Sequence, residues 1–426
     1  MKIPHLRWYV AALLFLATVI NYVDRQALSV VAPVLTKELG LTPVAYANVL
    51  QAFLWAYTVM YVISGIIVDK WGTRVGLSVF MVWWSVANML HAFVTSAFQL
   101  GVFRFLLGVG ESGNFMAATK ATSEWFPAKE RAFVNGLVNA GAAVGAIVSG
   151  PLIVWLYLNY GWRSTFVITG AIGLVWLVAW LFFYHLPHQH PRITSEELAI
   201  IEGGEKTAGP APKIAWRDLL KLRQTWGLFL ARFLSSPVWW FYLFWLPKYL
   251  VEQRGFTMQQ MGMLVWLPYL FADLGSISGG LMSGYLIKHN REVLRARAMV
   301  MLPFAAVMPI SLLIAFTPST TVAIVVICIV AFSHMAWMTN LMTVTNDIYP
   351  RQIVGSVAGI VAFGNGLGGA VFTSLTGYVV QQFSYDAIFI IMGFLHPAAF
   401  LMFRWLVRGP VNLQSREIMQ PTVATR

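Results

Sequence analysis

The chain has 426 residues, of which 58% are hydrophobic and only 11% charged, with a mean hydropathy of +0.68 and a formal net charge of +12. No soluble domain carries so many long apolar runs, so the composition excludes a water-soluble enzyme or binding module and points to an all-α polytopic membrane protein. In a soluble chain the basic excess would suggest nucleic acid, but here its position relative to the membrane spans must be established first.

The first apolar run covers 8–35 and flows into "VVAPVLTKELG" with no small-residue cleavage site, so it is expected to be retained as a span. Further helices of about 20 residues or more are expected at 45–68, 74–95, 99–121, 133–158 and 162–185. Beyond a polar stretch, others are expected at 225–250, 260–287, 297–316, 320–346, 353–381 and 386–407, making twelve. The implied parts are a six-helix bundle over 1–184, a cytoplasmic loop over 185–224 and a second six-helix bundle over 225–426. With both termini cytoplasmic, only Lys37, Arg163, Lys248 and Arg254 fall outside, while Arg25, Arg104 and Arg232 fall within helices. All other Lys and Arg residues, including Lys70, Arg74, Lys129, Arg131, Lys288, Arg291, Arg295, Arg297 and Arg351, are then inside, as the positive-inside rule requires. The basic excess is therefore topology, and no nucleic-acid partner is implied.

Helix one contains "NYVDRQ", an acid and a base in hydrocarbon, where a charge costs roughly 3 kcal/mol on insertion scales. Thr18, Asn21 or Tyr22, Arg25 and Ser29 recur at helical spacing as a polar stripe, with Asp24 about 100° away. Helix four, "LGVFRFLLGVGESGNFMAATKATSEWFP", places Arg104 and Glu111 on one face about two turns apart. These four groups could be two ion pairs that merely lock helices together, but buried pairs stabilise poorly compared with apolar packing. Ionisable groups in spanning helices more often line a polar pathway. The chemistry on offer is a guanidinium fork for a carboxylate and carboxyls able to take up and release protons.

In the turn after helix two, "GIIVDKWGTRVG" spaces Gly65, Asp69, Gly72 and Arg74 as G-x-x-x-D-x-x-G-x-R. Helix five carries Gly141, Gly145 and Gly150, small residues expected to let it slide past a neighbour from the other half. The polar stretch from His185 contains "TSEEL", a plausible cap and first turn of a surface helix, and three histidines whose spacing matches no metal template. Cys328 is the only cysteine, so there are no disulfides within the chain.

The second half offers hydroxyls, amides and rings more than charge: Ser235, Ser236, Trp239 and Tyr242 in helix seven, and His334, Trp337, Asn340 and Thr343 in helix ten. Most of these rings serve packing, yet polar groups beside rings, with Trp239 and Asn340 foremost, suit a polyhydroxylated anion. Asp273 in helix eight fits a capping or pairing role equally well. "WFPAKERAFVNGLVNAGAAVGA" from Trp125 lies without a gap on "IYPRQIVGSVAGIVAFGNGLGGA" from Ile348, with Glu124 on Asp347, Pro127 on Pro350, Gly136 on Gly359, Gly141 on Gly364 and Gly145 on Gly368. The halves thus read as parallel repeats.

The Gly65–Arg74 signature, in this loop of a six-plus-six protein, resembles that of the major facilitator superfamily. That resemblance implies its fold of two pseudo-symmetric six-helix bundles, with Asp69 pairing with Arg74 or a helix of the other half. At the equivalent place in the second half, Gly284 stands where an acid would be. "NYVDRQALSVVAP", "RFLLGVGESGNF" and "SEWFPAKERA" are similar to the anion:cation symporter family, and to its bacterial hexuronate and sugar-acid branch. The resemblance implies import of a sugar acid with protons across the bacterial cytoplasmic membrane. It makes Asp24 and Glu111 the protonatable pair, Arg25 the carboxylate anchor beside Tyr22 and Arg104 the residue that tunes Glu111. Tyr57 and Asn365 would be substrate contacts. Met116 stands where that pattern often has Pro, which implies a straighter helix four.

No cofactor or metal is implied, only a coupling proton, and a monomer is expected. Two other readings stay open: an organic-anion exchanger or a symporter of another monocarboxylate without proton coupling, and a non-transporting sensor of the same fold. An enzyme is not expected, since no nucleophile, metal cluster or phosphate loop is present.

Overall fold

The computed structural model describes residues 2–202, 216–349, 351–409 and 411, so residues 203–215 of the central loop and Pro350 of the repeat lie outside the described residues. Every regular element among the described residues is helical. The first six are α1 (Leu6–Glu38), α2 (Pro43–Trp71), α3 (Thr73–Leu90), α4 (Ala97–Glu111), α5 (Gly113–Trp125) and α6 (Ala128–Phe183). Two short helices, α7 (Ser195–Glu202) and α8 (Trp216–Leu219), fall in the central loop. Then come α9 (Arg223–Phe244), α10 (Leu246–Glu252), α11 (Met258–Leu264), α12 (Leu267–Lys288), α13 (Val293–Val307) and α14 (Leu312–Phe316). The last three are α15 (Thr320–Ile348), α16 (Arg351–Gln382) and α17 (Tyr385–Leu406).

Eight helical stretches among the described residues are long and apolar enough to cross a membrane, and α2, bent by 50° between Tyr61 and Ile63, makes a ninth. One of the eight, Phe133–Phe183, is interrupted at Gly161, whose φ of 78° and ψ of 164° only glycine adopts without strain. That is the break expected between helices five and six. With α4–α5 and α9–α10 in the fourth and seventh places, the chain order is consistent with twelve passes. Ser112 joins α4 to α5 with helical angles, φ −58° and ψ −28°, so helix four runs on through Glu111. Exposed Val175, Val178, Phe182, Ile277 and Leu281 form the apolar exterior that hydrocarbon contact requires.

The helix starts follow from local chemistry. Thr42, with Pro43 behind it, accepts from the Ala45 amide, Ser96 from that of Gln99 and Ser319 from that of Val322. Thr257 and Gln260 form a reciprocal capping box. The surface helix expected at "TSEEL" is α7, and the Glu197 carboxylate accepts the Leu6 and Arg7 amides at 2.7 and 3.0 Å. A loop residue thereby caps α1, where the helix dipole favours negative charge.

Two units divide the chain. The first comprises Met1–Thr207, Trp240–Leu270 and Ala370–Ala387, and the second Ala208–Trp239, Phe271–Gly369 and Ile388–Arg426. Inside the first, a Cβ on Gly141 would stand 2.6 Å from the Phe15 carbonyl and one on Gly145 2.7 Å from that of Val19. These glycines therefore press α6 onto α1 of the same half, not onto the other half as expected. Gly150 does meet a second-half residue, Val265, which belongs to the same unit. Inside the second unit, Gly364 and Gly368 approach the Phe229 and Phe233 carbonyls of α9 in the same manner. Gly145→Ala is expected to destabilise the detergent-solubilised protein by about 1–3 kcal/mol, because the methyl meets backbone that cannot yield. Gly136→Ala, with nothing within 4 Å of the new methyl, serves as the control and should unfold at or above the wild-type temperature.

Candidate functional site

The site forms where α1, α2 and α4 bring their polar exceptions together inside the first unit. Arg25 Nε donates to Glu111 Oε2 at 2.7 Å, and its Nη2 donates to Asn21 Oδ1 at 3.1 Å, one turn back on α1. Arg25 is 2% exposed and Glu111 0%, so this pair is removed from water. The guanidinium carbon sits 4.7 Å from the Tyr57 ring centre, 4.8 Å from Tyr22 and 5.3 Å from Phe53. A weakly hydrated planar cation tolerates such a cage where an ammonium would not. Tyr22 and Tyr57 are themselves only half-buried, whereas Phe53 is buried.

Arg104 reaches a backbone carbonyl and not an acid. Its Nη2 donates to the backbone carbonyl of Arg25 at 3.2 Å, and its guanidinium lies 4.9 Å from the Phe53 ring centre. It thus fixes the α1 backbone beneath Arg25, and its charge acts on Glu111 without a hydrogen bond between them.

Asp24 points another way, as its 100° offset requires. Its Oδ1 accepts from Asn88 Nδ2 at 2.7 Å, and that amide also reaches Thr169 Oγ1 at 2.8 Å, with the Trp84 ring alongside. The two acids therefore have separate partners, Glu111 a cation and Asp24 an amide on α3.

At the end of α2, Asp69 pairs with Lys120 at 3.0 Å, a residue of α5 in the same unit, while Arg74 Nη2 donates to the Leu181 carbonyl at 2.5 Å. The expected Asp69–Arg74 pair is replaced because Lys120 also reaches the Val68 and Asp69 carbonyls of that helix end. Gly72, with φ 78°, makes the turn between α2 and α3 possible, and Gly65 approaches the Met116 side chain at 3.8 Å.

In the second unit, Trp239 lies on the ring of His334, centroids 6.1 Å apart and planes within 6°. Asn340 donates to the Gly279 and Ala336 carbonyls at 3.0 and 2.9 Å and accepts from Arg297, so its amide ties α12 to α15. Asn365 is half-buried on α16, between the two glycines that meet α9. Arg297 also pairs with Asp347 at 3.0 Å. Sequence reasoning overlooked Asn88, Thr169 and Phe53. A lone amide in the apolar run "WWSVANMLHAF" was the one available signal for Asn88. Among the described residues no group of His, Cys, Asp and Glu could hold a metal ion.

Residues 14–373 and 296–423 match the family model described as Major Facilitator Superfamily. The chain is 33% identical over 395 residues to the hexuronate transporter of Escherichia coli (strain K12), covering 92% of this chain and 91% of that protein. It is 37% identical over 284 residues to the galacturonate transporter of Dickeya chrysanthemi, covering 66% of this chain and 82% of that one. In fold it is similar to the crystal structure of a bacterial homologue of the human lysosomal transporter Spinster, with a TM-score of 0.77 at 18% identity over 96% of this chain and 100% of that one.

Proposed function

Because the chain belongs to the major facilitator superfamily and is a membrane transporter rather than an enzyme, we propose that it imports a sugar acid, a hexuronate, aldonate or aldarate, together with protons. Alternating access of two halves, 1–184 and 225–426, joined by a cytoplasmic loop and with both termini inside the bacterial cytoplasmic membrane, is the proposed route. The substrate class is supported by the relatives named hexuronate and galacturonate transporters.

The observation that carries the coupling is the buried Arg25–Glu111 pair. With Glu111 ionised and no substrate, the pair is neutral overall. With Glu111 protonated and a substrate carboxylate in the fork of Arg25, it is neutral again. The two mixed states, proton without anion or anion without proton, each leave one net charge in a dry site at a cost of several kcal/mol. Proton and anion therefore enter together and leave together. Tyr22 and Tyr57 flank the fork and offer hydroxyls to the substrate, Asn21 and Arg104 hold Arg25 in place, and the Asp24 carboxyl, held by the Asn88 amide, carries a second proton.

The test is uptake of labelled glucuronate, galacturonate, galactonate and glucarate into proteoliposomes with the outside acidic. Accumulation of one of them, dependent on the pH gradient, is the expected result. Exchange indifferent to the gradient would remove proton coupling, and movement of none of the four would remove the substrate class.

A further inference from the structure

Helix α1 begins without a cap of its own. His5, the residue before it, is left-handed with φ 56° and ψ 33° and makes no side-chain cap bond. The first amides of the helix, on Leu6 and Arg7, are instead taken up by the Glu197 carboxylate, 191 and 190 residues further along the chain. The same end is tied again where the Ile3 amide donates to the Arg192 carbonyl at 2.8 Å.

The turn that carries Arg192 and leads into α7 is held by His190. Its Nε2 lies 2.9 Å from the Phe183 carbonyl at the end of α6, and its Nδ1 lies 3.1 Å from the Arg192 amide nitrogen. A carbonyl can only accept and an amide N–H can only donate, so the tautomer is fixed: Nε2 carries the proton and Nδ1 offers a lone pair. Both contacts together belong to the neutral ring. An imidazolium would keep the bond to Phe183 but set an N–H at Nδ1 against the N–H of Arg192. His190 is 6% exposed, with Trp125 of α5 edge-on at 5.8 Å, so bulk water does not reach in to separate the two hydrogens.

We propose that this clasp, in which His190 holds the Arg192 turn and Glu197 holds the start of α1, is a pH-sensitive switch: protonation of His190 releases the turn and uncaps α1. It lies wholly within the first unit. Its placement in the cytoplasm rests on the topology proposed above, which also brings protons carried inward with substrate to its side of the membrane.

The charges around His190 are few. His185 precedes it, with ring centres 5.3 Å apart, Arg192 follows it, and Glu197 acts on it from α7. Arg74 of α3 acts on His185, and Glu124 of α5 accepts from the Tyr184 hydroxyl. Burial, and then the Arg192 charge, hold His190 below the ordinary histidine value of about 6.5, against the Phe183 carbonyl and Glu197, which favour the cation. A value lowered in the clasped state means that the clasp is at full strength above about pH 6.5 and is lost as the pH falls through the lowered value.

The experiment follows hydrogen exchange of the full chain in detergent by mass spectrometry at about pH 7.5 and pH 5.5, corrected for the intrinsic pH dependence of exchange. It reads the peptides that contain Leu6 and Arg7. Their protection is expected to fall at least about twofold and at most about tenfold, the limit for one proton on a histidine of ordinary pKa in the open state. His190→Gln keeps both contacts without a charge, its amide donating to Phe183 and its carbonyl accepting from Arg192, and is expected to hold wild-type protection at both pH values. His190→Ala removes both contacts and is expected to show low protection at both, matching Glu197→Ala, which removes the cap directly. A wild-type protein whose protection changes by less than about twofold would overturn the switch. A His190→Gln protein that loses protection with pH as the wild type does would also overturn it, since the titrating group would then be another. Should His190→Ala fail to fold, the wild type and His190→Gln still decide. None of these readings involves substrate or orientation, so their failure and that of the transport reading are separate results.

Discussion

Glu111→Gln is expected to abolish accumulation of the sugar acid while leaving counterflow exchange measurable. Gln has the shape of the protonated acid and cannot lose the proton, so Arg25 is compensated only while a substrate carboxylate occupies its fork. The loaded carrier can still reorient, but the empty one must do so with a lone charge out of water. A penalty of about 3 kcal/mol would slow that return roughly 150-fold. Net uptake needs the empty return and exchange does not. The measurement pairs gradient-driven uptake with exchange against internal unlabelled substrate in the same proteoliposomes. Exchange by the variant should also be flat across external pH where the wild type varies. Loss of both activities in equal measure would take Glu111 out of the coupling step.

Arg25→Ala carries the second large effect, and it falls on affinity and stability together. Without the guanidinium the proposed carboxylate anchor is gone, so binding should weaken by more than about a hundredfold, as for truncation of one member of a buried charge pair. Glu111 is then a buried carboxylate without its hydrogen-bonded cation, which costs about 3–5 kcal/mol of folding stability. Adding Glu111→Gln removes that charge and should return most of the stability without returning binding. Thermal unfolding in detergent, with and without substrate, reads both. A double variant no more stable than Arg25→Ala would mean that Glu111 is satisfied by something other than Arg25.

The fold was legible because hydrocarbon imposes long apolar helices, and the stops at Gly72 and Gly161 are written as glycine. The four buried charges of the candidate site were legible for the complementary reason, since Asp24, Arg25, Arg104 and Glu111 are exceptions within apolar runs. Their pairing was not. Helical spacing separates Asp24 from Arg25 by about 100° but does not say which neighbour each one faces, and that depends on how α3 and α4 are turned. Asn340 marks a second limit. An amide in a spanning helix can contact a ligand or hold two helices together, and here it is spent on the Gly279 and Ala336 carbonyls. Phe53 gave no signal, because an aromatic residue among aromatics looks like packing until a guanidinium is found above it.

The contact of Gly141 and Gly145 with the α1 carbonyls has a mechanical corollary. Bare backbone touching backbone leaves no compressible layer of side chains in which one helix could creep along the other, so α1 and α6 behave as a single beam. Arg25 and Asp24 ride on that beam, while Thr169, which shares the Asn88 amide with Asp24, lies beyond the Gly161 break on the next span. In the proposed cycle the Arg25–Glu111 contact is therefore unlocked by rotation of side chains, on the picosecond-to-nanosecond scale of rotamers, once a proton or a carboxylate has arrived. The slow step of the cycle is left to displacements that carry the whole beam intact.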